Sequence, residues 1–328
     1  MKTQSRILED LVLIHLDITQ WSGRRGLKSE DLVIQGELPA SVVSLGSKKI
    51  IDPERIRVFG SIKRRMERAC LSVGTRFLGG YAIPKGHFDE VAATLDKEVR
   101  HAEQEKQDLL SKYDAIVEDW IRKHPSFAES IRRAVVPSTV VDARIHFDWV
   151  AIHVSAVEGE HNAQRMEQRA QGLGSQLFKE VGVAARGSYE KTYKGKAECT
   201  QKAVTTVSGI RKKLESLSFI DHRVQPVIDE IDAVLGDLPK TGKLSGTHFI
   251  ALRGLIELLA DENRLKQHGE SALNIESESE SLLSSDDEQQ AGDDLVLNDL
   301  PNPEPEPEPE PKPEPEKAPA EPVSDWFW

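Results

Sequence analysis

Between Phe88 and Trp120 the chain carries the pattern that most restricts how it can fold. Phe88, Ala92, Leu95, Val99, Ala102, Leu109, Tyr113, Ile116 and Trp120, with one polar interruption at Lys106, recur at alternating steps of four and three. A repeat averaging 3.5 residues draws one apolar stripe along a helix. At 1.5 Å per residue the pattern predicts a helix of about 55 Å, stopped by Pro125. A rod of this kind has to bury its stripe on a partner. Glu158 to Leu217 offers the matching spacing, first through Met166, Ala170, Leu173, Leu177, Val181 and Ala184, then through Ala203, Val207, Ile210, Leu214 and Leu217. Gly182, Gly187 and Gly195 predict a break between the two runs.

Two segments alternate with the period of a strand instead. Val12, Ile14, Leu16 and Ile18 fall on one face of Leu11 to Ile18, opposite Leu13, His15 and Asp17. From Arg144 to Val154, Ile145, Phe147 and Trp149 alternate with Arg144, His146 and Asp148. The apolar phase then moves to Val150, Ile152 and Val154, which predicts a bulge near Trp149. These strands are expected to pair. Asp52 and Pro53 open a further helix with a stripe of Ile56, Phe59, Ile62, Met66, Ala69 and Val73, ended by Gly74. Two shorter amphipathic helices are predicted on Val224, Ile228, Ile231 and Leu235 and on Phe249, Leu252, Ile256 and Leu259. The expected class is mainly α: a long antiparallel, coiled-coil-like helical pair (about 87–123 packed on 158–217) with a small antiparallel sheet.

Charge divides the chain in two. Residues 269–328 hold eighteen acids against two lysines, net −16, while residues 1–268 hold 37 acids and 41 bases, net +4. The first 268 residues are expected to form the helical body and the rest a disordered acidic tail. The Pro-Glu alternation from Pro301 to Pro315 favours polyproline II, so Pro301 to Glu321 could reach roughly 60 Å as a spacer. It leads to Asp325-Trp326-Phe327-Trp328, where three large aromatics call for a recipient pocket. The tail plan resembles that of bacterial single-stranded-DNA-binding proteins, whose acidic tails end in an aromatic that docks on partner proteins. The resemblance covers the tail plan alone.

Cys70 and Cys199 lie in helical segments, and no secretory signal or run of about 20 apolar residues occurs, so reduced thiols and a cytoplasmic location are expected. Basic residues gather at Arg24-Arg25, Lys48-Lys49, Arg55 to Arg68 and Arg211-Lys212-Lys213. Arg57, Arg64 and Arg68 share the helix face opposite the apolar stripe and could track phosphates, although solvated helix faces look the same. Three His-x-Asp pairs, His15 with Asp17, His87 with Asp89 and His146 with Asp148, could converge on a metal. Each sits on a polar face or a helix start, so no metal site and no cofactor is expected. A phosphate-binding loop, a Gly-x-Ser-x-Gly elbow, Cys-x-x-Cys and His-Glu-x-x-His are all missing from the sequence, which argues against an enzyme.

Several segments together resemble an uncharacterised bacterial family, number three-one-five-zero in the domain-of-unknown-function series. They are Leu13 to Asp17 running into Trp21-Ser22-Gly23-Arg24-Arg25, Leu45-Gly46-Ser47-Lys48-Lys49, Arg76-Phe77-Leu78-Gly79-Gly80-Tyr81-Ala82-Ile83-Pro84 and Ile131-Arg132-Arg133-Ala134. The resemblance covers most of the body and excludes the tail. It implies an accessory role on mobile genetic elements beside a MoxR-like or cobaltochelatase-like AAA+ ATPase and a von Willebrand factor A protein, and it supplies no catalytic residues. The expected function is a non-enzymatic adaptor whose tip, Asp325 to Trp328, docks on a partner. The alternative is a nucleic-acid-binding accessory factor in phage or plasmid DNA processing.

Overall fold

The computed structural model describes residues 7–28, 46–155 and 159–283; residues 284–328, with the aromatic tip, lie outside them. The described chain is mainly helical and carries one four-stranded antiparallel sheet. Strand β1 (Leu11–Thr19) is central, flanked by β5 (Gly80–Pro84) and by β6 (His146–Ile152), with β4 (Thr75–Phe77) beyond β5. The two strands expected to pair do so, through seven consecutive partners from Leu13 opposite Ile152 to Thr19 opposite His146.

The sheet partitions two apolar cores. Along a strand successive side chains point to opposite faces, so Ile14, Ile83 and Phe147 enter one core while Leu11, Leu13, Phe77 and Ala82 enter the other. This is why Leu11 to Ile14 is buried throughout, whereas further along β1 His15, Asp17 and Thr19 face solvent. The register is continuous through Trp149, so the expected bulge is corrected. Phe147, Trp149 and Ala151 keep one inward phase, and Val150 and Ile152 stand about half exposed (50% and 47%) on the open face. The apolar phase shift reflects where the covering layer stops, not an extra residue in the strand.

The first core gathers α1 (Arg57–Val73), α2 (Phe88–Ser111) and α3 (Tyr113–Lys123), with the short α4 (Ala128–Arg132) and α5 (Ser138–Asp142). No position of the Phe88-to-Trp120 stripe is exposed, and Leu95, Ala102, Leu109 and Tyr113 are buried. The rod is two helices in place of one, because Lys112 leaves helical geometry (φ −114°, ψ 6°) between Ser111 and Tyr113. Lys106, the polar interruption, reaches Glu103 and, at 3.1 Å, Asp142 on α5. The rod's main neighbour is α1, which corrects the expected packing on 158–217. Arg65 of α1 grips Glu98 of α2 with two hydrogen bonds of 2.8 and 2.7 Å and lies 3.0 Å from His101, so a residue of the basic cluster is committed to this contact.

The second core is built from α6 (Glu160–Ser188), α7 (Lys202–Ser216), α8 (Val224–Gly236), α9 (Gly246–Ala260) and α10 (Glu262–Leu283). Gly182 and Gly187 stay inside α6, and the expected break comes at a π turn, Tyr189–Tyr193, with Gly195 at φ 70°. The boundary at 268 falls within α10. Leu265 is fully buried there, Glu270 pairs with Arg223 at 2.8 Å, and a Cβ at Gly269 would lie 2.6 Å from the Arg223 carbonyl oxygen. The compact body extends through Ser281.

Leu95 is wholly enclosed. Leu95→Ala should lower unfolding free energy by about 3 kcal/mol, as expected for an apolar cavity that only partly collapses. Exposed Gln104→Ala, on the same helix, should change it by less than about 0.5 kcal/mol. Urea unfolding followed by helix signal measures both, and equal effects would refute the orientation of the stripe.

Candidate functional site

Helix α1 lies between the two halves, touching α2 on one side and α7 on the other. Where α1, α6 and α7 converge beside β4 they leave an open groove of about 640 Å³. Arg68, Leu71 and Ser72 of α1 and Arg76 of β4 form one wall; Lys179, Val183 and Ala184 line it from α6, and Thr206, Gly209 and Ile210 from α7. Val183, 57% exposed, is an aliphatic side chain set in this opening.

The groove encloses a buried ion pair. Lys213 Nζ lies 2.6 Å from Glu180 Oε2, and both side chains are about nine-tenths withdrawn from solvent. Glu180 also accepts hydrogen bonds from the Arg76 backbone N–H (3.0 Å) and Gln176 Nε2 (2.9 Å), so one carboxylate ties α6 to α7 and to the hairpin strand β4. Burial pushes its pKa up, but the charge of Lys213 and these hydrogen bonds outweigh that and hold it below the ordinary glutamate value. Among the described residues Lys213 pairs with one carboxylate, Glu180, and burial pushes its pKa down.

Beside the groove the β4–β5 hairpin turns through Leu78 and Gly79, with Phe77 paired to Gly80. Both turn residues have positive φ, 46° and 81°, the geometry of a type I′ turn that glycine or asparagine adopts at low cost. A leucine held there is strained, and its side chain is 49% exposed. Leu78 lines an adjoining hollow of about 340 Å³ that shares Arg76 and Gln176 with the groove. Sequence reasoning missed this juxtaposition. The available signal was Leu78-Gly79 in a two-residue loop between short apolar runs.

The basic clusters meet different fates. Arg57, Arg64 and Arg68 are all exposed on α1, away from the buried stripe of Phe59, Ile62, Met66, Cys70 and Val73. Arg57 pairs with Glu54 at 3.1 Å, whereas Arg64 donates to Ser61 and Arg68 to the Arg64 carbonyl. Of the three, Arg68 reaches the groove. Arg211, Lys212 and Lys213 are spent on Asp232 and Glu215, on Glu90 and on Glu180, respectively. Arg24-Arg25 and Lys48-Lys49 become one two-stranded ribbon, β2 (Arg24–Gly26) with β3 (Ser47–Lys49), in which Arg24 faces Lys49 and Arg25 faces Lys48.

Two of the His-x-Asp pairs come together on the open face of the sheet. Asp17 stands opposite Asp148, and His146 Nε2 lies 3.4 Å from Asp17 Oδ2. His87 and Asp89 stay apart from them at the start of α2. Among the described residues no group of three or more His, Cys, Asp or Glu side chains is placed to hold a metal ion. Both cysteines are buried, and burial pushes the Cys70 thiol up to about 12 and raises Cys199, conditions that disfavour a thiolate nucleophile. Among the described residues no helix is long and apolar enough to cross a membrane. Asp325, Trp326, Phe327 and Trp328 lie outside the described residues.

Removing one member of a buried ion pair strands the other. Glu180→Gln should therefore cost about 3 kcal/mol at neutral pH. Glu180 has a lower pKa folded than unfolded, so its stabilisation is complete above about pH 4.3 and is lost as pH falls through the lowered folded value. Urea unfolding from about pH 6 to about pH 3 should show the gap between wild type and variant closing on acidification. A gap constant across that range would refute this account of the pair.

None of the curated proteins compared with this chain matches it, and no solved structure does. A family model does match, over residues 8–261, taking in the sheet, the groove, the first core and all of the second but α10. The chain belongs to the protein family of unknown function DUF3150.

Proposed function

We propose that the protein is a non-enzymatic adaptor of a bacterial mobile element, acting in the cytoplasm beside a MoxR-like AAA+ ATPase and a von Willebrand factor A protein. The observation that carries the adaptor reading is the groove: an open, apolar surface rimmed with cations, suited to holding another polypeptide. The sequence of the tail supports it from another direction. Asp325, Trp326, Phe327 and Trp328 concentrate aromatic area behind a charged Pro-Glu spacer, and a few buried aromatics can carry most of a protein contact. The choice of an ATPase and a von Willebrand factor A partner rests on the family resemblance.

Replacing Trp326, Phe327 and Trp328 together with Ala should leave the melting temperature unchanged and reduce recovery of an AAA+ ATPase from the native host at least tenfold. Quantitative mass spectrometry of material captured on full-length wild type and variant measures this. Recovery of no ATPase by either chain would overturn the partner assignment, and equal recovery would overturn the role of the tip.

A second reading, nucleic-acid binding, draws on the β2–β3 ribbon with its paired cations and on Arg57, Arg64 and Arg68. Binding through phosphates releases counterions, so affinity should fall steeply with salt. Arg64→Glu with Arg68→Glu should weaken binding of a single-stranded or duplex oligonucleotide at least tenfold in gel shifts. No shift by the wild-type chain at low salt would eliminate this reading.

A further inference from the structure

We infer that the groove between α1, α6 and α7 is a docking site for a partner's peptide segment that sets carboxylates beside a large apolar side chain. This rests on the adaptor reading and adds to it the chemistry of what the adaptor holds. Four cations line the groove, Arg68, Arg76, Lys179 and Lys213, against one acid, Glu180. Glu180 is already satisfied by Lys213, Gln176 and the Arg76 backbone, so the charge left for a ligand is positive. Arg68 and Lys179 are exposed and have no carboxylate partner among the described residues.

Between these cations the wall is apolar. Leu71, Val183 and Ile210 line it, and at Gly209 a Cβ would meet nothing within 4 Å, leaving space over the backbone of α7 for a bulky side chain. Leu78 extends this surface at the Arg76 end, held out by a strained turn. Phosphate chemistry alone would use the cations and leave Val183 and Leu78 in water. No aromatic ring lines the main groove on which a base could stack. A purely apolar helix face would bury Lys179 and Arg68 without a counter-charge, at a desolvation cost. A peptide bearing both carboxylates and a Trp or Leu meets both demands. The chain's own Asp325-Trp326-Phe327-Trp328 has the same chemistry, so a binding test has to silence it.

The test uses the full chain with Trp326, Phe327 and Trp328 replaced by Ala and fluorescence anisotropy of three short labelled peptides. One carries alternating Glu and Asp around Trp and Leu, the second replaces its acids with Lys, and the third replaces Trp and Leu with Ala. The acidic apolar peptide should bind at least tenfold more tightly than either control. Arg68→Glu with Lys179→Glu, and separately Val183→Asp, should each weaken it at least tenfold while the helix signal and melting temperature stay at wild-type values, since these side chains are exposed. Arg24→Glu, on the β2–β3 ribbon, should leave it unchanged. Equal binding of the Lys peptide or the Ala peptide, or unaltered affinity in folded groove variants, would overturn the assignment. Clearly weaker binding by the wild-type chain than by the tip-replaced chain would make the chain's own tip the occupant and overturn assignment to a partner. Peptide binding that passes these arms while neither chain recovers an ATPase would keep the groove and sink the motor partner. ATPase recovery with failed peptide arms would do the reverse.

Discussion

The body depends on a strand that is buried on both sides. From Leu11 to Ile14, β1 sends alternate side chains into two separate cores, and its neighbour β5 does the same with Ala82 and Ile83. Because the period is two, a slip of one residue against β5 would exchange the two sets of side chains. Gly80 helps to hold that register: a Cβ there would lie 2.5 Å from the Ile14 carbonyl oxygen, so only glycine permits the close approach. Both halves of the helical body are hung on this sheet, one on each face.

Helix α1 is the second tie between the halves, and its two sides do different things. Toward α2 it offers Arg65, which Glu98 holds with a charge-assisted pair of hydrogen bonds across the helix contact. Hydrogen bonding to Arg65 draws the Glu98 carboxyl below its ordinary range, against the opposing effect of burial. Toward α7 the same helix supplies Arg68 and Leu71 to the groove. The groove lies where α1, whose buried side chains all join the first core, meets α6 and α7 of the second. Glu180, shared among Lys213, Gln176 and Arg76, then fixes the position of the walls.

The electrostatic reading changes once the clusters are placed. Four of the basic residues that stand out in the sequence are occupied within the body: Arg211, Lys212 and Lys213 each meet a carboxylate, and Arg65 turns inward to Glu98. Arg24, Lys49 and Arg64 also stay open to solvent, whereas Arg68 and Lys179 are exposed cations that border the groove's apolar walls. A surface with both characters discriminates more sharply than charge alone, because a ligand lacking either one leaves a cation or an apolar patch unmatched.

Periodicity carries information about which side of an element is buried, and here that much was legible. The stripe from Phe88 to Trp120, the alternation at Leu11 to Ile18 and the helix ending at Gly74 all appear in the body as read from local pattern. The pairing of β1 with β6 followed from two strands being available in the first half of a mainly helical chain. Periodicity says nothing about the identity of the opposite surface, and matching spacing alone pointed the rod at 158–217. Tertiary packing decided for α1, through Arg65 and Glu98 and a core shared with the sheet. Nor can a stripe show whether an apolar residue such as Val150 or Val183 will be covered, since that depends on where neighbouring elements end. The groove is the clearest case. Arg68, Arg76, Lys179 and Lys213 come from four separate elements, unremarkable one by one, and only the convergence of α1, β4, α6 and α7 makes them a single surface. Local sequence thus determined the elements and their buried faces, because those follow from spacing along one backbone. Long-range packing decided the two-core partition and the candidate site, because those depend on contacts between segments more than a hundred residues apart in the chain, as Arg76 and Glu180 are.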